Sequence, residues 1–142
     1  MLISTKGRYG LRVLVDLAQQ KSMDPVPLKD IASRQEVSEK YLESILKILV
    51  KNKLVSGSRG KGGGYLLVKA PDEINLKDVL EMTEGTLAPV SCLEENADPI
   101  EKESEGKLLP VWQGLYDTIS AYLEQKTIAD LIDDDPVDYY VI

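Results

Sequence analysis

The stretch Leu54-Val55-Ser56-Gly57-Ser58-Arg59-Gly60-Lys61-Gly62-Gly63-Gly64-Tyr65-Leu66-Leu67-Val68 decides the fold. Two short apolar-flanked runs enclose a tip that is glycine at four of its five positions, 60–64. Glycine reaches positive φ without steric penalty, so such a run between two apolar segments reads as a hairpin tip, with strands predicted over 54–59 and 65–68. Glycines around a lysine also suggest a phosphate-cradling loop. That loop requires Ser or Thr directly after the lysine and a helix behind it. Here Gly62 follows Lys61 and a strand-like run follows the tip, so the hairpin reading stands.

The residues before the hairpin are helical in pattern. Ser38 is a good N-cap for a helix running to 52, in which Leu42, Ile45, Leu46 and Leu49 recur at i, i+3, i+4 and i+7 as a core stripe. Glu39, Lys40, Glu43, Ser44, Lys47 and Lys51 lie off that stripe and face outward. A short helix over 28–34 precedes it, with Leu28, Ile31 and Ala32 inward and a turn at 35–37. Pro25 and Pro27 make 21–27 a loop. The first helix starts at Ser4 or Thr5 and runs to about 20, with Val13, Leu14, Leu17 and Ala18 inward.

After the hairpin, Pro71 interrupts the chain and a helix is predicted over 75–84, burying Leu76, Val79 and Leu80. Residues 85–106, with Gly85, Pro89, Pro99, Gly106 and a run of acids, read as an irregular loop. The longest helix follows over 107–126. Its apolar residues Leu108, Trp112, Leu115, Ile119 and Tyr122 step by four, three, four and three, an a/d seam suited to pairing two helices, although a surface helix of a monomer needs the same stripe. Thr127 caps a last short helix ending near 132, before an acidic tail. The fold class is therefore mainly α with a small β wing: a winged helix-turn-helix over 1–84, a loop over 85–106, and a dimerisation helix, short helix and tail over 107–142.

Charge divides the chain in the same way. The net charge of −7 combines +7 in residues 1–70, from thirteen Lys/Arg and six Asp/Glu, with −14 in residues 71–142, from four Lys and eighteen Asp/Glu. The basic half suits a polyanion and the acidic half is repelled from one. A B-form major groove admits one helix and is read by its outward side chains, while a cation on a glycine-rich wing approaches the minor groove closely.

Catalysis finds little support. The chain has one cysteine, Cys92, and no histidine. An internal disulfide, a histidine-based zinc site, a Ser-His-Asp triad and a Cys-His pair are all excluded within one chain. The carboxylates at 133–135 lie in a charged tail, where solvation is the ordinary reading. The expectation is a non-enzyme with no catalytic residue and no metal site. Residues 1–8 lack an apolar signal core and no run is long enough to span a bilayer, so a cytoplasmic location is expected.

Three segments resemble the Rrf-two family of winged-helix transcription regulators. They are Ser4-Thr5-Lys6-Gly7-Arg8-Tyr9-Gly10, Tyr41-Leu42-Glu43, and the wing with Leu54-Val55, Arg59-Gly60 and Gly62-Gly63-Gly64-Tyr65. The resemblance is strong over 1–84 and looser over the long helix. It implies a homodimer on imperfect palindromes in double-stranded DNA. It also implies that Ser4, Lys6 and Tyr9 touch phosphates, and that Lys40, Tyr41 and Ser44 meet backbone or base edges. Glu43 would read a base, since a carboxylate accepts from cytosine N4, and Arg59 and Lys61 would serve the wing. Core packing is an equal reading for Tyr41, as a plain solvated face is for Lys47 and Lys51.

Cluster-binding members of the family carry three cysteines in the loop before the dimer helix. This chain has only Cys92 there, in Pro89-Val90-Ser91-Cys92, so no iron–sulfur cofactor is expected. That departure points to the cluster-free branch, which represses cysteine and sulfur genes with cysteine synthase (CysK) as a protein co-regulator. Cysteine synthase takes partners ending in a free isoleucine, and Tyr140, Val141 and Ile142 would form such a peptide ligand. A tail packed on its own helix is the other reading. Cys92 is either a small apolar residue or a redox thiol, and the second makes a thiol-based redox-sensing regulator the alternative function. A winged-helix protein-interaction module is the remaining alternative. It predicts no net positive charge on the recognition helix and wing, the opposite of this sequence.

Overall fold

A computed structural model describes residues 2–20 and 23–132. The tail residues Tyr140, Val141 and Ile142 lie outside the described residues. The helices are α1 (Thr5–Ala18), α2 (Leu28–Gln35), α3 (Glu39–Lys51), α4 (Leu76–Glu84), α5 (Pro99–Glu105) and α6 (Leu109–Glu124). Between α3 and α4 lie β1 (Val55–Ser58) and β2 (Gly64–Leu67), an antiparallel pair in which Val55 faces Leu67 and Ser58 faces Gly64. This is the expected mainly helical winged fold with a small β wing.

Local chemistry sets the helix starts. Ser4 Oγ accepts from the backbone N–H of Gly7 at 3.1 Å, Ser38 Oγ from that of Tyr41 at 3.1 Å, and Asn75 Oδ1 from that of Asp78 at 2.9 Å. Each such cap contributes about 1 kcal/mol. Helix α2 is capped by Glu36, in the left-handed region at φ 55°, whose backbone N–H closes onto the Ser33 carbonyl. That sharp stop turns the chain from α2 into α3.

The apolar stripes meet in one core. Val13, Leu14, Ile31, Leu42, Ile45, Leu46, Leu49 and Val79 are wholly buried. A fully buried side chain of this size stabilises by about 1.5–3 kcal/mol, so the stripe of α3 alone is ample to hold that helix against α1 and α2. Ile128 joins the same core from the far end of the chain. It is held there by its N–H donating to Ile74 C=O at 2.9 Å, beside the bridge from Leu76 N–H to Lys126 C=O at 2.9 Å. Packing therefore crosses the boundary drawn at residue 107.

Several details differ from the sequence reading. Segment 85–106 is not wholly irregular: Asp98 caps α5 through Ile100 N–H at 2.9 Å, Pro99 presets its first turn, and Ser91–Leu93 forms a 3-10 turn. Helix α6 begins at Leu109 rather than 107, because Gly106–Leu108 is a 3-10 turn and Pro110 occupies the first turn of the α-helix. A further 3-10 turn at Pro71–Glu73 follows the wing. Val26 pairs with Tyr65, exchanging both backbone bonds at 2.9 Å, so the wing is fastened to the loop before α2. Among the described residues no helix is long and apolar enough to cross a membrane.

Candidate nucleic-acid interface

Helix α3 turns Leu42, Ile45, Leu46 and Leu49 inward, which fixes its other side outward by helical period. Lys40, Glu43, Ser44 and Lys47 are exposed and line one shallow depression on that side. Ser44 Oγ donates to the Tyr41 carbonyl at 2.6 Å, so its hydroxyl hydrogen is engaged within the helix. A second cleft joins Glu43 and Lys47 to Gly57, Ser58, Arg59 and Tyr65. The outer face of α3 and the base of the wing thus form one continuous surface.

Arg59 and Lys61 are exposed at the wing tip. The tip closes through Gly63 N–H to Gly60 C=O at 2.9 Å, with Gly60 and Gly62 at φ 88° and 80°. A side chain at Gly63 would stand 2.6 Å from the Ser58 carbonyl, so the tightness of the turn requires glycine there. The result is a narrow, side-chain-poor ridge carrying two cations.

The first helix brings a third group to this region. Tyr9 is half-buried and meets Tyr41 edge to face, with ring centroids 6.2 Å apart. Tyr41 packs against the core as well as beside the exposed face of α3, so its core role is real and its contact with Tyr9 joins α1 to the first turn of α3. Lys6 is half-exposed. Ser4 is more occupied than a phosphate donor needs to be: besides capping α1, its hydroxyl and its N–H both donate to Glu84 Oε1, at 2.7 and 2.9 Å.

Two residues of this region escaped the sequence reading. Arg12 lies over the Tyr9 ring, 4.5 Å from its centroid, and donates from Nε to Gln35 Oε1 at 2.9 Å. Gln35 in turn donates to Asp16 Oδ2 at 3.0 Å. Asp16 is buried and receives a two-pronged bond from Arg34, Nε at 2.9 Å and Nη2 at 2.7 Å. The hydrogen bond to Asp16 holds Arg34 protonated still further above its ordinary range. The available signal was the three-residue spacing of Tyr9 and Arg12, which puts them on one helix face.

The loop after α4 is chemically different. Cys92 is 3% exposed. It is the chain's one cysteine, and the chain has no histidine. That donor set does not fit an iron–sulfur cluster, which takes four thiolate or imidazole ligands.

The chain is similar to known proteins over most of its length. Residues 3–134 match the family model Rrf2, described as an iron-dependent transcriptional regulator. The HTH-type transcriptional regulator CymR of Bacillus subtilis is 37% identical over 131 residues, covering 92% of this chain and 89% of that one. The solved structure of CymR (YrzC), the global cysteine regulator of B. subtilis, superposes with a TM-score of 0.73 at 36% identity, over 92% of this chain and 95% of that one. The oxidized form of Staphylococcus aureus CymR does so at 0.71 and 30% identity, over 95% and 98%. The chain belongs to the Rrf2 family of transcriptional regulators.

Proposed function

We propose that this protein is a non-enzymatic, sequence-specific repressor of cysteine and sulfur metabolism genes that binds palindromic double-stranded DNA as a homodimer. In this reading α3 enters the major groove with Lys40, Tyr41, Glu43 and Ser44, and the wing sets Arg59 and Lys61 against the neighbouring minor groove. Ser4, Lys6 and Tyr9 lie along the phosphates. The observation that carries it is the shared cleft of Glu43, Lys47 and Arg59, which makes helix face and wing one surface. The metabolic assignment draws on the likeness to CymR, the global cysteine regulator of B. subtilis. The homodimer draws on α6 and the residue before it: no side chain of α6 is buried, and Leu108, Leu115 and Tyr122 of the seam are 52, 44 and 61% exposed.

The test is recovery of genomic DNA fragments by the purified protein at about 150 mM salt with excess non-specific competitor, conditions that suppress sequence-blind phosphate binding. Enrichment of palindromes upstream of sulfur-assimilation genes supports the proposal. Enrichment elsewhere overturns the metabolic part, and no enrichment overturns the DNA reading. The cysteine synthase contact suggested by Tyr140, Val141 and Ile142 belongs to the same proposal. It is tested by deleting Ile142, and unchanged cysteine synthase binding would remove it.

A second reading, control through Cys92, draws on the S. aureus CymR structure described as an oxidized form. The burial of Cys92 opposes it, since oxidants act on exposed thiolates. A Cys92→Ser variant that still loses operator binding under peroxide would eliminate it.

A further inference from the structure

We propose that Arg12 is an additional DNA-contacting residue, a phosphate clamp on α1 that Tyr9 and Gln35 hold in place. The inference rests on the DNA-binding reading and adds to it a residue outside the three segments that carried the family resemblance. Three observations support it. Arg12 is exposed, yet its guanidinium is fixed on two sides, by the Tyr9 ring 4.5 Å away and by Gln35 Oε1 at 2.9 Å from Nε. Among the described residues no carboxylate pairs with it, whereas Arg34, the nearby cation on α2, is bonded through both Nε and Nη2 to Asp16. One anchor, Tyr9, belongs to the proposed DNA face and touches Tyr41 in the first turn of α3, and the other, Gln35, ends α2 just before the turn into α3.

A guanidinium held this way keeps its outer N–H donors directed away from the protein. Two parallel donors match the oxygens of a phosphate, and stacking on a ring removes much of the freedom a long side chain would otherwise lose on contact. The ligand is phosphate rather than a base edge because Arg12 stands on α1. In helix-turn-helix proteins the helices before the recognition helix cross the backbone, while the recognition helix occupies the groove. The anchor is itself rigid. Gln35 is oriented by its bond to Asp16 Oδ2, and Asp16 is 5% exposed and tied to Arg34. The clamp is therefore built on an ion pair whose carboxylate is buried and whose guanidinium is at the surface.

The experiment compares full-length protein with Arg12→Gln and Arg12→Lys on two probes: the tightest duplex recovered from genomic DNA, and a 30-base-pair duplex of scrambled sequence. Affinity is measured across a potassium chloride series. Each neutralised phosphate contributes about 0.9 to the slope of log K against log salt. Arg12→Gln is expected to flatten the slope by about 0.9 per protomer and to weaken both probes by a similar factor, roughly tenfold at about 150 mM salt. Arg12→Lys keeps the charge, so it should retain most of the slope while still losing affinity through the missing stack and Gln35 bond. Thermal unfolding of each variant controls for folding.

An unchanged slope overturns the clamp even if affinity falls, because a merely structural role does not release counterions. A loss confined to the genomic duplex also overturns it, since a phosphate contact does not read sequence. If the unaltered protein binds neither probe, the DNA reading fails and the clamp fails with it. If it binds and Arg12→Gln matches it, only the clamp fails.

Discussion

Ser4 and Glu84 stand eighty positions apart in the chain, and Glu84 Oε1 accepts from both the Ser4 hydroxyl at 2.7 Å and the Ser4 N–H at 2.9 Å. The bond ties the start of α1, where Lys6 and Tyr9 of the proposed DNA face follow, to the last residue of α4. The close approach depends on Gly7, because a Cβ there would collide with the same Glu84 oxygen. Glu84→Ala is expected to cost about 2 kcal/mol, the range for part-buried bonds to a charged group. Gly7→Ala should act partly by expelling the Glu84 carboxylate, so the two substitutions should be non-additive by about 1 kcal/mol. Urea denaturation of both single variants and the double variant measures this. Additive losses would mean that Gly7 and Glu84 act independently.

Asp16 gives the second prediction. Its carboxylate is buried between α1 and α2, with Arg34 as a two-pronged donor and Gln35 and Gln20 as amide donors. Arg34→Gln removes the only cation bonded to it among the described residues and is expected to cost about 2–3 kcal/mol. Asp16→Asn in that background should recover part of the loss, because the charge left without a partner is the larger penalty. Denaturant midpoints decide it. No recovery in the double variant would show that packing, not charge, dominates the site.

Much of this fold was legible because the stripes are regular. Leu42, Ile45, Leu46 and Leu49 had to face one way, and all four are buried. The caps at Ser4 and Ser38 were readable for the same reason: their chemistry is local, completed within three residues. What escaped was non-local or marginal. Nothing near Val26 announces its pairing with Tyr65, and nothing near Ser4 points to Glu84. Helix α5 was hidden because Pro99 and the surrounding acids resemble a loop, while its Asp98 cap and preset first turn supply what so short a helix needs. Within the candidate interface, α3 and the wing were visible as motifs. Arg12 and Gln35 were not, since their role arises only once α1 lies against α2.

The wing separates folding from binding. Gly64 is at φ 154°, and a Cβ there would run into the Val26 carbonyl, the acceptor that fastens the wing to the loop before α2. Gly64→Ala is expected to destabilise by about 2 kcal/mol or more, through backbone strain and loss of that pairing. Arg59→Ala touches no internal bond of the described residues, so its melting temperature should match that of the unaltered protein. Its DNA affinity should fall about 5- to 150-fold, the range for losing one Arg contact of about 1–3 kcal/mol. Thermal melts beside fluorescence anisotropy separate the two effects. A destabilised Arg59→Ala would assign the residue a structural role instead.

Helix α6 carries the last prediction. Leu115 and Tyr122 are 44 and 61% exposed, and Val111 beside them 56%. Large apolar side chains concentrated on one helix need a partner surface, and the spacing of Leu108, Trp112, Leu115, Ile119 and Tyr122 is that of a helix–helix seam. In a two-fold interface each substitution enters twice. Leu115→Glu therefore buries two carboxylates at about 2 kcal/mol each, which should weaken self-association by a factor of 100 to 1000 or thereabouts. Leu115 is exposed in the isolated chain and outside its core, so the resulting monomer should keep its own secondary structure. Sedimentation velocity across a concentration series gives the association constant, and circular dichroism reports the fold. A monomer that also binds a half-site duplex, with the affinity for the full palindrome lost, would place the seam in operator recognition. An unchanged dimer would assign the exposed face of α6 to some other partner.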